Sequence, residues 1–187
     1  MRVWIVLPAY NEAENLPAIF HGIGRLAADD DVLVCMDADN SHLPGLIPRM
    51  VQMIREGRDV VIASRYRSGS VVRGVCLWRR WLSRGMSVLF KMIYPIPGVR
   101  DYSCGYRAYR AGFLQAAMER RKDRLFAKEG FACMVGILLR LHKEKAIFGE
   151  APMVLRYDRK AGASKMKVGR TVLRTLRVLL RERFSGD

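Results

Sequence analysis

Residues 32–39 read Val-Leu-Val-Cys-Met-Asp-Ala-Asp, a pattern that recurs along the first third of the chain. Five consecutive apolar residues, rich in β-branched side chains, predict a strand that is buried on both faces, as in a parallel sheet. Asp37 and Asp39 are two residues apart at the end of this strand, so their carboxylates share a face. Because open α/β sheets bind ligands at the carboxyl ends of their strands, this stretch predicts an acidic site there.

Apolar runs on both sides of this segment repeat the pattern. Residues 3–7 form a first predicted strand, which Pro8 ends, and a helix is expected over residues 11–26. Residues 60–63 form a third predicted strand, after a helix over residues 44–55. Strands thus alternate with helices, and polar residues follow each strand, which is typical of an α/β domain.

The second half of the chain is predicted to be mainly helical, with one further strand over residues 151–157. Residues 67–74 are expected to form a mobile loop, residues 101–110 a compact polar segment and residues 162–165 another loop. The expected helices cover residues 77–94, 111–121, 130–142 and 166–184.

The composition fits a single folded domain. Half of the 187 residues are hydrophobic, which excludes a disordered chain. The 33 basic residues against 18 acidic ones give a formal charge of +15, which favours anionic partners such as nucleic acid, acidic lipid or phosphorylated substrates. The four cysteines show no zinc-ligand spacing, so reduced thiols and a cytosolic location are expected. The longest apolar run, residues 131–139, is too short to span a membrane.

Five short clusters follow predicted strand ends or occupy predicted loops. They read Leu-Pro-Ala-Tyr-Asn-Glu at 7–12, Met-Asp-Ala-Asp-Asn-Ser-His-Leu-Pro at 36–44, Ala-Ser-Arg-Tyr at 63–66, Asp-Tyr-Ser-Cys-Gly-Tyr-Arg-Ala at 101–108 and Gly-Ala-Ser-Lys-Met at 162–166. In this order they resemble the family 2 glycosyltransferases, most closely the polyprenyl-phosphate (dolichol-phosphate) mannosyltransferase group. The resemblance covers the whole chain. It implies the GT-A fold of nucleotide-diphospho-sugar transferases, a Rossmann-like, mostly parallel sheet flanked by helices.

The resemblance also implies a reaction. The expected reaction is an inverting transfer of a hexose from a nucleotide sugar to a polyprenyl or dolichyl phosphate. The expected donor is GDP-mannose, with a UDP-hexose as the other candidate, and Mg²⁺ or Mn²⁺ neutralises the departing diphosphate. A lipid phosphate is already ionised at pH 7, so its oxygen can attack the anomeric carbon without a strong general base.

The same resemblance assigns the metal-binding and catalytic residues. Asp37, Asp39 and Ser41 are implied metal ligands, and Asp39 and Asp101 are the implied catalytic residues. Asp101 is assigned to organising the site or to handling a proton. Carboxylate oxygens are hard ligands that suit a divalent cation on a diphosphate. The alternative for residues 37–41 is a solvated turn whose polar side chains cap the local backbone.

Further residues are assigned to the phosphates and the nucleotide. Arg79 and Ser83 are four residues apart on a predicted helix, so they share a face, and by resemblance they belong to the set that holds the acceptor or donor phosphates. A guanidinium suits phosphate oxygens, although Arg79, Arg65 and Arg156 could each also be a surface residue of a basic protein. The residues assigned to the nucleotide sugar are Pro8, Tyr10, Glu12, Asp37, Arg65, Arg156 and Lys165.

The chain departs from the family at one point. Relatives carry a strand with an Asp-Asp-Gly-Ser-like motif, a helix and a third strand between the loop at 7–12 and the acidic segment at 37–41. This chain lacks that piece, on the order of fifty residues. One or two edge strands are therefore missing, and half of the nucleotide pocket with them. The strand at 3–7 should then be an unpaired apolar edge, which would allow the chain to form a homodimer.

The last predicted helix divides the chain into a GT-A-like domain at residues 1–165 and a basic amphipathic helix at residues 166–187. Its apolar and basic faces predict peripheral attachment to an anionic membrane surface, on the inner, cytoplasmic face of the cell membrane. The alternative is a helix that packs on the sheet. Trp78 and Trp81 among arginines on the helix at 77–94 also suit an interface, and packing in the core is the equal alternative for them. The apolar stripe comprises Val168, Val172, Leu173, Leu176, Leu179, Leu180 and Phe184, and the basic face comprises Lys167, Arg170, Arg174, Arg177 and Arg181.

Two other functions are compatible with parts of this pattern. The missing piece allows a catalytically impaired family remnant that binds a membrane or a partner through its basic helices. The net charge of +15 allows a nucleic-acid-binding protein, but no helix-turn-helix, RRM or zinc pattern supports one, so no nucleic acid is expected among the partners.

Overall fold

The computed structural model describes residues 1–7, 22, 27–121, 125–126, 132–159 and 168–184. The predicted helix at 11–26, apart from residue 22, and the predicted loop at 162–165 lie outside the described residues. The same holds for four residues assigned to the nucleotide sugar, which are Pro8, Tyr10, Glu12 and Lys165.

A five-stranded sheet forms the centre of the molecule, with the strand order β1-β2-β5-β3-β6, and β4 and β7 form a second sheet of two strands. β1 is parallel to β2 and β3 is parallel to β6, whereas β5 is antiparallel to both of its neighbours. Four of the five strands therefore run in one direction, which confirms the mostly parallel sheet. The strands are β1 (Val3–Val6), β2 (Val32–Cys35), β3 (Val60–Ser64), β4 (Val71–Arg73), β5 (Arg107–Arg110), β6 (Phe148–Pro152) and β7 (Val154–Arg156).

Helices pack around this sheet close to the positions predicted for them. The first of them follows a short 3-10 turn at Pro44–Leu46 and ends before Gly57, whose φ of 99° lies in the left-handed region that favours glycine. The helices are α1 (Ile47–Arg55), α2 (Leu77–Ile93), α3 (Ala111–Arg121), α4 (Cys133–Lys143) and α5 (Val168–Phe184).

β5 is the strand that the sequence did not predict. It occupies the middle of the sheet, between β2 and β3, where the expectation was a compact polar segment. Its first residue, Arg107, is completely buried, and its guanidinium donates to the backbone carbonyls of Tyr102, Cys104 and Met134 at 2.7–2.8 Å. A charged side chain at a central position hides the apolar pattern of a buried strand, and the three hydrogen bonds to carbonyl oxygens make that position tolerable.

Two boundaries predicted for the second half were wrong. The strand expected over residues 151–157 is two strands, because the chain leaves the large sheet at Pro152 and enters the small sheet at Val154. Met153 joins them: its N–H donates to the carbonyl of Ser64 and its carbonyl accepts from Val71 N–H. The loop expected over residues 67–74 contains β4, which needs β7 as its partner.

β1 lies at one end of the large sheet, as expected for a chain without the missing piece. Among the described residues, no strand pairs with its outer edge. Val32 N–H donates to the carbonyl of Arg2, so the backbone groups of Val3, one residue on, face away from β2. The side chains of Val3, Ile5 and Leu7 are exposed as well. The outer strand therefore presents both unpaired backbone groups and apolar side chains.

α5 is docked on the rest of the molecule, principally on α4. Val178 and Leu179 are buried, and the Glu182 carboxylate accepts hydrogen bonds from Arg140 at 2.8–2.9 Å in the buried interface. The predicted apolar stripe is thus split, with Leu179 inside and Leu173, Leu180 and Phe184 exposed. Within the described parts of the chain, no helix is long and apolar enough to cross a membrane.

Candidate active site

The acidic segment forms a tight turn after β2. Asn40 has a φ of 61°, a left-handed value that asparagine tolerates better than most residues. Asp39 Oδ1 accepts hydrogen bonds from Ser41 N–H at 3.0 Å and from Ser41 Oγ at 2.5 Å. Asp37 N–H donates to Nδ1 of His42 at 3.1 Å, and the His42 ring stacks on Tyr106 with centroids 5.1 Å apart. The turn therefore has a defined shape, and the Asp37 carboxylate is left 55% exposed.

These residues fit a divalent cation that is shared with a diphosphate. The structure brings no three acidic, histidine or cysteine side chains together as a metal site within the residues it describes. Mg²⁺ is commonly held by one or two carboxylates, with substrate phosphates and water completing its coordination, so Asp37 and Asp39 offer a sufficient donor set. The buried Ser41 hydroxyl donates to Asp39 and so orients that carboxylate.

Arg65 and Asp101 form a buried bidentate ion pair at the carboxyl end of β3. Arg65 Nε donates to Asp101 Oδ2 at 2.8 Å and Nη2 donates to Oδ1 at 2.7 Å, while Arg65 N–H also donates to Oδ2. Burial alone raises the pKa of the Asp101 carboxyl, but the charge and hydrogen bonds of Arg65 outweigh burial and lower that pKa below its usual value. Asp101 is therefore ionised at neutral pH and unsuited to accept a proton.

The Arg65 guanidinium still has one edge to offer. Nη2 donates to Ser103 Oγ at 2.8 Å as well as to Asp101. No described residue accepts a hydrogen bond from Nη1, and the side chain is 22% exposed at the edge of a cavity. The side chain is thus held on one edge and available on the other, which is a geometry suited to a phosphate oxygen.

The cavity beside Arg65, which we call the main cavity, has an apolar interior and a polar rim. It encloses about 500 Å³ between α2 and α5. Arg65, Arg79, Ser83 and Ser103 line it, so three of the residues assigned to phosphates meet here. Its apolar lining includes Leu82, Met86, Phe90, Val135, Leu155 and Val172.

A smaller cavity of about 80 Å³ adjoins it and shares Arg79 and Ser83. Arg80 and Arg84 also line it, and neither of these arginines forms an ion pair with a described residue. Tyr66 Oη and Ser83 Oγ are hydrogen bonded at 2.5 Å, so the serine is fixed between the two cavities. The result is a concentration of uncompensated positive charge beside an apolar space.

Arg156 lies near the acidic turn, but its side chain has a partner. Its backbone N–H donates to the carbonyl of Ser41 at 2.9 Å, which joins β7 to the turn. Its guanidinium donates to both carboxylate oxygens of Asp158, with the shortest bond at 2.8 Å. No described residue accepts a hydrogen bond from Nη1 of Arg156, so this edge can meet a phosphate while the exposed pair stays closed.

Sequence reasoning missed several residues of the site. Ser103 and Tyr66 lie in the sequence clusters 101–108 and 63–66, in which only neighbouring residues were assigned a role. Glu150 is different, because it is a buried carboxylate on β6 that accepts hydrogen bonds from the backbone of Arg100 and Asp101. A lone glutamate within the run Phe-Gly-Glu-Ala was the available signal, since buried strands rarely hold an unpaired acid.

A family model described as glycosyl transferase family 2 matches residues 22–116, just over half of the chain. The chain belongs to glycosyl transferase family 2. The matched range includes the acidic turn, the Arg65–Asp101 pair and all of α2, so most of the site that the structure describes lies within the family match.

Curated relatives of this family 2 chain have related names. It is 30% identical to the dolichol-phosphate mannosyltransferase of Pyrococcus furiosus, over 97% of this chain and 63% of that protein. It is 28% identical to the polyprenol monophosphomannose synthase of Mycolicibacterium smegmatis, over 88% of this chain and 81% of that protein. It is 33% identical to the undecaprenyl-phosphate mannosyltransferase of Micrococcus luteus, over 83% of this chain and 63% of that protein.

The family 2 chain is shorter than the Pyrococcus relative within the aligned region itself. That alignment runs over 234 residues, more than the 187 of this chain, so the relative has residues there without a counterpart here. This agrees with the prediction from the motif spacing that a segment is missing between residues 7–12 and 37–41. The chain spans less than two thirds of the Pyrococcus and Micrococcus proteins.

Solved structures confirm the GT-A-like fold of the family 2 chain. Glucosyl-3-phosphoglycerate synthase from Mycobacterium tuberculosis, in complex with Mn²⁺, UDP and glucosyl-3-phosphoglycerate, superposes with a TM-score of 0.60 at 14% identity. That comparison covers 100% of this chain and 81% of the other. The same synthase with Mn²⁺ and UDP-glucose gives a TM-score of 0.61 at 13% identity, covering 100% of this chain and 80% of the other.

Proposed function

We propose that this chain is a metal-dependent glycosyltransferase that moves a hexose from a nucleotide diphosphate sugar to a polyprenyl phosphate, with inversion at the anomeric carbon. The donor we propose is GDP-mannose, because three curated relatives have names of polyprenyl-phosphate mannosyltransferases or a monophosphomannose synthase. The observation that carries the proposal is the apolar cavity with arginines and serines at its rim, at the same end of the sheet as the acidic turn.

The main cavity matches the two parts of a lipid phosphate. Its apolar lining can bury the first isoprene units of the acceptor, which removes hydrocarbon from water. Arg79 and Ser83 at the rim would hold the phosphate, and Arg80 and Arg84 add positive charge beside them. Such a site binds an anionic head and an apolar tail together, which a sugar or a soluble phosphate alone would not need.

The acidic turn matches the donor. Asp37 and Asp39 would hold Mg²⁺ or Mn²⁺, which when bound neutralises the charge that develops on the leaving diphosphate. Ser41 orients Asp39, and Arg65 would offer Nη1 to a donor phosphate. The assignments of Pro8, Tyr10, Glu12 and Lys165 to the nucleotide sugar are predictions on residues outside those described.

No general base is required by this arrangement. The acceptor phosphate is ionised at neutral pH and supplies the attacking oxygen itself. Asp101 is fully buried and is held by Arg65, so we assign it to organising the site and not to proton transfer. Arg65 and Asp101 then act as one unit, with the carboxylate fixing the direction of the guanidinium.

Access to a lipid acceptor suggests how the protein meets a membrane. The outward face of α2 carries exposed Trp78, Trp81 and Met92 beside Arg80 and Arg84. This mixture of aromatic, apolar and cationic side chains suits the headgroup region of an anionic bilayer. We propose peripheral attachment through this face, on the cytoplasmic side of the cell membrane.

The open edge of β1 suggests a second copy of the chain as a partner. Unpaired backbone groups and the exposed side chains of Val3, Ile5 and Leu7 lie along one edge. Antiparallel pairing of β1 with β1 of a second molecule would satisfy both features around a twofold axis. We therefore include a homodimer in the proposal.

The test is a transfer assay with labelled sugar nucleotides and short polyprenyl phosphates, with and without Mn²⁺. We expect GDP-mannose to be the preferred donor and Asp39→Ala to abolish transfer. Asp30→Ala, in an exposed acidic turn at the other end of β2, is the matched control and should transfer normally. Metal-dependent turnover that persists in Asp39→Ala would refute the role of Asp39.

The second candidate is the catalytically impaired remnant, which the shortened alignment with the Pyrococcus protein favours. Titration with GDP in the presence of Mn²⁺ separates the two. Micromolar affinity supports the enzyme, whereas millimolar affinity or none, together with retained binding to anionic vesicles, supports the remnant.

A further inference from the structure

Glu150 is an ionisable residue within the central sheet. It lies on β6 opposite Ile62 of β3 and is only 6% exposed. A carboxylate at such a position loses its hydration, and this cost must be offset by hydrogen bonds within the protein. The partners of Glu150 therefore indicate what the residue does.

Two backbone hydrogen bonds to the Glu150 carboxylate come from one short segment. Oε1 accepts from Arg100 N–H at 2.6 Å and from Asp101 N–H at 2.8 Å. Oε2 is buried and has no hydrogen-bond partner in the described structure. A residue needed only for sheet packing would be apolar here, because a buried oxygen without a partner destabilises the fold. The two amides offset part of the cost of burying this carboxylate.

The hydrogen bonds continue from Asp101 to the rim of the main cavity. The Asp101 carboxylate accepts two hydrogen bonds from the Arg65 guanidinium and one from Cys104 N–H at 3.1 Å. Arg65 in turn donates to Ser103. Glu150 sets the backbone from which Asp101 projects, Asp101 sets the direction of Arg65, and Arg65 and Ser103 line the cavity.

We propose that Glu150 is a positioning residue of this site: by holding the amides of Arg100 and Asp101 it places Asp101, and through Asp101 it aims the Arg65 guanidinium at the phosphates. Glu150 does not touch the cavity, so its effect on transfer passes through Arg65. The proposal rests on the function proposed above, because it names the residue that orients part of that site.

Two substitutions of Glu150 separate its hydrogen bonds from its charge. Glu150→Gln keeps a carbonyl oxygen that can accept both amides, whereas Glu150→Ala removes the acceptor. We expect Glu150→Ala to lose hydrogen-exchange protection at the amides of Arg100 and Asp101. We also expect its kcat/KM for transfer to fall about 100-fold, the scale reported for small misplacements of catalytic groups. Glu150→Gln should retain the protection and most of the activity.

Glu144→Ala is the matched control, because Glu144 is also a poorly exposed acid with two arginine partners but lies away from the cavity. It should leave exchange at residues 100 and 101 unchanged. If Glu150→Ala does not fold, Glu150→Leu fills the same volume without an acceptor and replaces it.

Unchanged protection of the two amides in the Ala or Leu variant would overturn the proposal. So would lost protection with unchanged transfer, or failure of Gln to restore protection. If the wild-type chain transfers no sugar, the proposed function fails, and the exchange comparison then decides by itself whether Glu150 places Asp101.

Discussion

At the scale of single residues, the site combines side chains that are already held with others that are still available. Asp101 occupies the Nε–Nη2 edge of the Arg65 guanidinium, and Asp158 occupies the same edge of the Arg156 guanidinium. Among the described residues, Arg79 has no acidic partner and makes a cation–π contact with Trp78, at 5.3 Å. A phosphate would therefore meet Arg79 without displacing an acid, and it would meet Arg65 and Arg156 through the Nη1 edge that does not face their carboxylate partners.

The Arg65–Asp101 pair predicts a pH dependence of stability. The pKa of Asp101 is lowered in the folded state, so the pair stabilises the fold above the pKa of the unfolded chain, about 3.9, and this stabilisation is lost as the pH falls through the folded value. Asp101→Asn removes the charge and leaves the partly exposed Arg65 guanidinium without its ionic partner. We expect a loss of about 3 kcal/mol at pH 7, at the lower end for a buried pair.

Thermal or denaturant unfolding of both proteins between pH 7 and pH 3 measures this effect. The difference in the free energy of unfolding should begin to shrink as the pH falls below about 4, where the carboxyl of the unfolded chain becomes protonated, and should shrink further towards the lower folded pKa. A difference that stays constant across this range would contradict an ionised Asp101 as the source.

Particular residues show what the sequence could predict about the site. Arg65, Arg79 and Ser83 were assigned from their motifs, and the structure brings them together at one cavity. The position of these residues in the sequence predicts their place in the site, because Arg65 follows the end of a strand and Arg79 and Ser83 share one face of a helix. The ion pair of Arg65 with Asp101, 36 residues away, and the hydrogen bonds of Glu150 depend on tertiary contacts that no local pattern encodes.

At the scale of elements, strands with continuous apolar runs and helices with an amphipathic pattern were predicted, and the strand without either signal was not. β2 and β3 are continuous apolar runs and were predicted correctly. α2 was also predicted correctly from its amphipathic sequence, although no side chain caps its amino end. β5 reads Arg-Ala-Tyr-Arg and so shows no apolar run that would predict a buried strand. Its first arginine can be buried there because the guanidinium donates to three carbonyl oxygens. α5 was placed correctly, but Glu182 pairs with Arg140 on the face that packs inward, and three of its leucine and phenylalanine side chains point outward.

α2 also carries the prediction on membrane binding. Trp81 is 70% exposed and Trp78 is its neighbour on the outward face. Replacing both, as Trp78→Glu with Trp81→Glu, removes apolar area and adds negative charge, and burial of one large apolar side chain is worth about 1.5–3 kcal/mol. We expect binding to vesicles of anionic phospholipid to weaken at least about tenfold.

Sedimentation with such vesicles at two salt concentrations is the measurement, since attraction to anionic lipid weakens as salt screens it. Ile147→Glu, an exposed apolar residue beside the amino end of β6, is the control and should bind as the wild type does. Equal binding by the double variant and the control variant would exclude this face of α2.

At the scale of the whole molecule, the sheet is open at one end and the surface is strongly basic. The missing piece leaves β1 outermost among the described strands, with Val3, Ile5 and Leu7 exposed beside unpaired backbone groups. A net charge of +15 opposes close approach of two copies, so pairing would have to be local and specific to that edge.

The homodimer prediction belongs at this scale. Ile5→Lys places a charge on the outer strand, and edge lysines are a common way to block strand pairing. We expect the wild-type chain to sediment as a dimer at micromolar concentration and Ile5→Lys as a monomer. Val71→Lys, at an equally β-branched and exposed strand position of the small sheet, should leave the dimer intact. A monomeric wild type, or a dimer that survives Ile5→Lys, would contradict pairing through β1.

The crossing at Met153 has a mechanical consequence. Met153 donates through its N–H to the carbonyl of Ser64 and accepts through its carbonyl from Val71 N–H. The strand that follows it contributes Leu155 to the cavity wall and donates through Arg156 N–H to the carbonyl of Ser41. We expect any displacement of that strand to move the wall of the cavity and the acidic turn together.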